Sequence, residues 1–222
     1  FENQPPEKLK EMGIADSPTS LEVRFRTPSL IKTIVFGDRN PGMNLGFVII
    51  KDDPRIFRLT ADIKAEADKT VYDLRDKTVI DFAPLKIKGF NIKWVGSSEI
   101  AVAHPAEGKW HIVKPKKAVA NALKITELLY KIKGAKIKAF ADEDPKDLSV
   151  YGLSEPRFRI NISDETGKNL ELLVGERDKK QRGLFAKRGN AKNVFVLEED
   201  FILNMPKSPE DIEEAKDDKK TK

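Results

Sequence analysis

The chain has 222 residues, 39% of them apolar and 35% charged, with a formal net charge of +5; it is long enough for one large domain or two small ones and polar for its size. Cysteine is absent and histidine occurs twice, which excludes disulfide scaffolds, thiol catalysis, thiolate metal sites and a multi-histidine metal centre. No uninterrupted apolar run exceeds four residues, far short of the roughly 20 that a membrane helix needs.

Residues 1–11 are polar with two prolines, unlike a signal peptide, which needs a basic start and an apolar stretch. Residues 20–26 alternate Leu21, Val23 and Phe25 with Glu22 and Arg24, the period of a half-buried strand. A second strand is predicted over 31–36, ending at the turn pair Gly37-Asp38. Strands 46–51 and 55–59 flank the loop residues Asp52, Asp53 and Pro54, and Thr60 offers an N-cap to a helix starting near Ala61.

Residues 87–95 and 99–103 are strand-like, and the turn 105–108 leads into strand 109–114, whose alternation points Trp110 and Ile112 to one face. Pro115 breaks that strand. Val119, Ala122, Leu123, Thr126, Leu129 and Tyr130 then recur at helical spacing, joined by Ile125, Leu128 and Ile132, with Gly134 as the stop. Alternation returns over 135–140, and strands are predicted over 157–163, 169–174, 183–188 and 193–197. The final stretch, 207–222, holds five Lys and six Asp or Glu with Ile212 as its one large apolar side chain; it reads as a charged, partly disordered tail that frays in its last third.

The chain repeats itself. At an offset of 139, Phe1, Pro6, Leu9, Gly13 and Ile14 meet Phe140, Pro145, Leu148, Gly152 and Leu153. After a one-residue slip, Ile34-Val35-Phe36-Gly37-Asp38-Arg39 meets Leu172-Leu173-Val174-Gly175-Glu176-Arg177, and Ile56-Phe57-Arg58-Leu59 meets Val194-Phe195-Val196-Leu197. A nearly constant offset over some seventy residues indicates a duplication. The predicted organisation is a first copy at 1–78, a central hairpin-plus-basic-helix module at 79–139, a second copy at 140–206 and the tail at 207–222. Because Phe140 follows a strand and a long helix while its counterpart Phe1 follows nothing, the repeat predicts that a unit resembling 79–139 once preceded Phe1. The fold class is α+β: internally repeated antiparallel β-meander modules, each closed by a helix.

Certain motifs carry a family resemblance: Leu74-Arg75-Asp76-Lys77 followed by Asp81-Phe82, then Gly108-Lys109-Trp110 with Pro115, then Tyr151-Gly152-Leu153 with Pro156. Met12-Gly13-Ile14 with Pro18 is a degenerate copy of the last. In this order they resemble the bacterial family called domain of unknown function 4340, over all of the chain except the charged tail. The resemblance implies an extracytoplasmic protein, held by an N-terminal membrane anchor absent from this chain. It also implies an accessory or scaffold role beside an ABC-2-type permease or gliding-motility-type transport component. It supplies no catalytic residues and no cofactor; Gly13, Gly152, Trp110, Pro115 and Pro156 read as structural.

Charge is uneven: residues 1–78 are neutral, 79–140 carry +8 and 141–222 carry −3. Lys114, Lys116 and Lys117 before the central helix and Lys131, Lys133, Lys136 and Lys138 at its end form a candidate contact for a partner or an anionic membrane surface. The bland reading is a solvated lysine face whose stems cover apolar surface. Nucleic acid is not expected, because the stretch has lysine without arginine or aromatic platforms. His104 and His111 flank the 105–108 turn with Glu107 at its tip, a set with metal-ligand chemistry, but strand alternation sets His111 opposite to Trp110 and these read as surface residues. The acid clusters Asp52-Asp53, 142–144 and 198–200 fall in loops and caps, and the basic stretch 177–188 reads as a long hairpin tip. The expectation is a non-enzymatic scaffold without metal or cofactor, the alternative a periplasmic carrier of lipid or glycan with a cleft between modules.

Overall fold

A computed structural model describes residues 4–17, 20–40, 42–105 and 108–215, with only the backbone at Ala61 and Asp62. The chain divides into two compact units, Phe1–Arg75 and Asp76–Lys222.

In the first unit a short helix α1 (Pro6–Glu11) precedes an antiparallel meander of β1 (Leu21–Arg26), β2 (Ile31–Asn40), β3 (Leu45–Ile50) and β4 (Ile56–Thr60), in that spatial order. Two helices follow, α2 (Ala61–Ala67) and α3 (Val71–Leu74). Thr70 caps α3 reciprocally with Asp73, which satisfies amides the short helix leaves open. A small core of Ile14, Val35 and Ile56 lies under Leu9 and Met12.

The second unit begins with a 3₁₀ turn at Pro84–Lys86 and strands β5 (Ile87–Trp94), β6 (Ile100–Ala103), β7 (His111–Lys114) and β8 (Ala118–Val119). Helix α4 (Ala122–Gly134) and strand β9 (Ala139–Asp142) follow, then a 3₁₀ turn at Ser149–Tyr151. A second meander consists of β10 (Phe158–Asp164), β11 (Asn169–Asp178), β12 (Gly183–Arg188) and β13 (Val194–Glu198), closed by α5 (Asp200–Leu203). All nine strands form one antiparallel sheet in the order β8-β7-β6-β5-β10-β11-β12-β13-β9. The segment 79–139 and the copy 140–206 therefore share one sheet, joined between β5 and β10, where Trp94 lies opposite Phe158 and Ile92 opposite Ile160.

On one face of that sheet, Ile125, Leu128, Leu129 and Ile132 of α4 join Phe90, Ile92, Phe158, Ile160 and Ile162 in a core that is almost solvent-free. Full burial of such side chains stabilises by about 1.5–3 kcal/mol each. The helix starts later than its apolar spacing suggests. Ala118 and Val119 pair with β7 as a strand, and the Asn121 side chain accepts the Lys124 amide at 3.1 Å to begin the helix there. Leu123 and Tyr130, counted into the apolar stripe by spacing, face solvent.

The pair Gly37-Asp38 does not end its strand. β2 runs on to Asn40 through a register shift between Phe36 and Arg39, and β11 shifts likewise between Val174 and Arg177. These are β-bulges, and each serves a close approach. Gly13 and Gly152 both adopt φ +65°, and the bulge glycines Gly37 and Gly175 sit against the residues before them. A Cβ on Gly37 would lie 2.3 Å from the Met12 carbonyl oxygen, and one on Gly175 would lie 2.1 Å from that of Tyr151. The same turn leads into both junctions: the Ile14 amide donates to Leu9 at 2.9 Å, and the Leu153 amide to Leu148 at 3.0 Å. Glycine is the residue that permits both the left-handed turn and the backbone contact.

The stretch 207–222 is not a loose tail in its described part, 207–215. The indole of Trp94 donates to the Pro206 carbonyl at 2.7 Å, the Asn121 amide donates to Ile212 at 2.8 Å, and the Glu214 amide donates to Val119 at 3.0 Å. Ile212 is buried in the main core. Ser208 and Asp211 cap the 3₁₀ turn Pro209–Asp211 reciprocally. The last third of the expected tail lies outside the described residues.

Candidate functional site

The seven candidate lysines occupy three stations: the end of β7 and its turn to β8 (Lys114, Lys116, Lys117), the last turns of α4 (Lys131, Lys133) and the approach to β9 (Lys136, Lys138). Four of them are engaged by carboxylates. Lys114 meets Glu99 at 3.1 Å, Lys138 meets Glu198 at 2.8 Å, and Lys133 pairs with Asp81. Lys116 is clasped by Glu210 at 2.5 Å and Glu213 at 2.7 Å. These groups are exposed or partly exposed, so each pair contributes little to stability, but together they neutralise much of the field that a local charge count suggests. The pair with Lys116 holds Glu210 down at about 2, and Glu210 and Glu213 raise Lys116 above the ordinary lysine value. Its hydrogen bond to Lys133 lowers Asp81. Lys117, Lys131 and Lys136 are exposed.

The two histidines line one concavity along β6 and β7 but make different contacts. His104 stacks on Trp110 with ring centroids 4.5 Å apart, while His111 is exposed on the opposite face of β7 from buried Ile112. No group of three or more metal-ligating side chains occurs among the described residues; Glu107, the proposed third member, lies outside them. The acid clusters are occupied with local work. Asp53 accepts from the Arg55 side chain at 2.6 and 2.9 Å and from its amide at 3.0 Å, which lowers its pKa to about 2. Asp142 accepts from the Tyr151 hydroxyl at 2.7 Å, a bond that raises the tyrosine. Glu198 holds Lys138, and Glu199 holds Arg177 at 2.5 Å. The stretch 177–188 is not a long loop: β11 extends to Asp178 and β12 starts at Gly183, so the tip is four residues.

Two concavities of the second unit draw on these elements. One of about 570 Å³ lies between α4 and the C-terminal segment, bounded by Lys124, Lys131, Lys207, Leu203 and Met205. Another of about 460 Å³, mainly apolar, lies along β6 and β7 beside His104, Pro105, Val113 and Lys117.

The features that local spacing does not reveal are the sheet edges of the first unit. Strand β1 pairs with β2 on one side, and no described strand pairs with it on the other. Phe25 on this strand and Leu30 and Ile31 just beyond it are more than half exposed. In the second unit the corresponding strand β10 lies in the middle of the sheet. The signal in the sequence was the same Leu21/Val23/Phe25 alternation that announced the strand; what it lacked was the neighbour.

A meander that recurs with its bulge, its left-handed glycine and its closing helix defines a duplicated α+β repeat protein. The family model described as "Domain of unknown function (DUF4340)" matches residues 1–109 and again 110–216. The chain belongs to that family. The boundary between the two matches falls just before β7, inside the nine-stranded sheet. No curated protein matches the chain.

Proposed function

We propose that this chain is a non-enzymatic, extracytoplasmic scaffold or accessory subunit of a membrane transport complex, of the ABC-2 or gliding-motility type, acting by protein–protein contact. The observation that carries the reading is the outer edge of β1, which no described strand covers, with its exposed apolar neighbours Phe25, Leu30 and Ile31. A sheet edge is a template for strand pairing, a recurrent backbone-directed mode of docking. Family membership supports the assignment to a repeat protein of this kind. The three lysines outside the described ion pairs, Lys117, Lys131 and Lys136, are offered as secondary contacts to acidic partners or anionic lipid.

The test is crosslinking and affinity capture of the full-length protein from its native membrane, read by mass spectrometry. Recovery of permease or ATPase subunits, with crosslinks to the first unit, supports the reading; repeated recovery of no membrane component refutes it. A ligand carrier is the second reading. It is favoured by the mainly apolar 460 Å³ concavity on β6 and β7, which belongs to one unit. Co-purification of a lipid or glycan in place of protein subunits would select it.

A further inference from the structure

The two copies share a skeleton, so the side chains they do not share are free to serve something else. Both central hairpins close alike: Asn40 faces Leu45 as Asp178 faces Gly183, and Asn44 and Arg182 each take φ +49°. Phe47 faces Arg58 as Phe185 faces Val196. What stands on that skeleton differs. Where the second copy has Tyr151, Lys179, Lys180 and Val196, the first has Met12, Pro41, Gly42 and Arg58. The fold does not require the second set.

In the second unit these residues surround a recess of about 380 Å³. Leu184, Ala186, Phe195 and Leu197 turn into the α4 core, so Phe185 and Val196 between them point to the other face of the sheet. Ala139 on β9, Val196 on β13 and Phe185 on β12 lie side by side as the floor. Tyr151 is a wall: its ring meets that of Phe185 at 77° with centroids 5.0 Å apart, and its hydroxyl donates to Asp142 at 2.7 Å. Both rings stay partly exposed, whereas Phe82, Phe90, Phe158, Phe195 and Phe201 of the same unit are buried. Lys179, Lys180 and Gln181 of the hairpin tip stand at the rim.

The tip is held in place. Asp178 accepts the Lys180 amide at 2.9 Å, and Lys138 donates to the Arg182 carbonyl at 3.0 Å. Lys179 and Lys180 are exposed, and neither has a carboxylate partner among the described residues. Two such ammonium groups beside two ring surfaces suit a ligand that is anionic at one end and carbon-faced at the other. The steeply inclined rings leave no parallel slot for a flat base. They make a corner, which suits a puckered sugar ring, because its C–H bonds project in several directions and pack on the negative faces of aromatic rings. An acyl chain fits the mainly apolar concavity on β6 and β7 better than this charged rim.

We propose that the recess bounded by Tyr151, Phe185, Lys179 and Lys180 binds an acidic carbohydrate, its ring in the aromatic corner and its carboxylate between the two lysines. Gln181 offers an amide to the sugar hydroxyls. The proposal goes beyond the scaffold reading and rests on the carrier reading, for which it names the ligand class and a site.

The test titrates trigalacturonate, and separately the uncharged galactotriose, into the 222-residue chain and follows backbone amide NMR shifts, which give both the affinity and the place. The expected result is shifts at 151, 178–185 and 196 and about tenfold tighter binding of the acidic sugar, two exposed ion pairs contributing about threefold each. Lys179→Ser with Lys180→Ser abolishes that preference. Tyr151→Met with Lys179→Pro and Lys180→Gly installs the first copy's residues and loses both sugars, while tryptophan fluorescence in urea shows the fold retained. Tyr151→Phe keeps the ring and binds as the parent does. Equal affinity for the two sugars, shifts confined to other strands, AMP or acetate bound as tightly as trigalacturonate, or no binding at all overturns the proposal. A lipid co-purifying from the native membrane, with no sugar bound in titration, sinks this site and upholds the carrier. Trigalacturonate bound here, with nothing co-purifying, upholds the site and sinks the carrier.

Discussion

Replacing Gly175 by alanine tests the junction on which both copies are built. The new Cβ would stand 2.1 Å from the Tyr151 carbonyl oxygen and 2.9 Å from the backbone of Gly152, where ordinary contact begins at 3.4 Å. Neither neighbour is a flexible side chain, so β11 and the Tyr151-Gly152 turn have to part by more than about an ångström. That movement disturbs the bulge between Val174 and Arg177 and the packing of Leu153, which is 2% exposed. Overpacking of this kind costs about 1–3 kcal/mol, and the loss of neighbouring burial brings the expectation to about 3 kcal/mol. The chain's two tryptophans, Trp94 and Trp110, both lie in the second unit, so fluorescence during urea unfolding reports that unit directly. With a urea slope of about 1–3 kcal/mol/M, the midpoint should fall by about 1–3 M. A midpoint within about 0.3 M of the parent would mean that the bulge does not abut the turn, and the shared-junction argument would go with it.

Gly134→Ala is the contrasting case: a Cβ there meets nothing within 4 Å at the end of α4, so the same assay should show a gain of about 0.4–1 kcal/mol. Ile132→Ala, at 0% exposure under the sheet, should cost about 2–5 kcal/mol, and near-neutrality would contradict the packing of α4. Acid should release the C-terminal segment. Glu210 and Asp211 both titrate below their ordinary values, through the Lys116 pair and through the Ser208 and Lys207 amides respectively. Their stabilisation is complete above the ordinary carboxylate range and fades as pH falls through their lowered values, near 2 for Glu210. The Lys116 contribution runs the other way, fading as pH rises through its raised pKa. Protection of the Asn121 amide, which donates to Ile212, taken as its exchange rate relative to the intrinsic rate at the same pH, should fall on acidification, and protection unchanged between pH 5 and pH 2 would refute the clasp. Arg55→Ala should return Asp53 from about 2 toward 3.8 in a carboxyl NMR titration.

The strands were readable because alternation is a local property: β1, β5 and β12 follow directly from their apolar spacing. The bulges were not, because Gly37-Asp38 has the chemistry of a turn and the contact that makes it a bulge comes from Met12. The start of α4 was misplaced for a related reason. Val119 has helical spacing to Leu123, but strand pairing with His111 overrides it. The charge patch shows the same limit. A count along the chain puts Lys116 among cations, whereas its partners Glu210 and Glu213 come from the far end. Ile212, a single apolar residue in a charged stretch, was the one local hint that this end is held. That no described strand covers the outer edge of β1 became visible only beside β10, since exposure depends on neighbours that no spacing encodes.

The seam between β5 and β10 has a consequence for how the second unit is made. Residue 94 must wait for residue 158 before its outer backbone groups are paired, and contacts so distant along the chain form late. During synthesis the β5–β8 hairpins emerge first, with the future centre of the sheet as a temporary margin. That margin carries Lys88 and Lys93 among its apolar residues, and such cations discourage the wrong strand from arriving early. A nascent chain stalled before β10 would then present to its neighbours an apolar margin that the finished sheet covers.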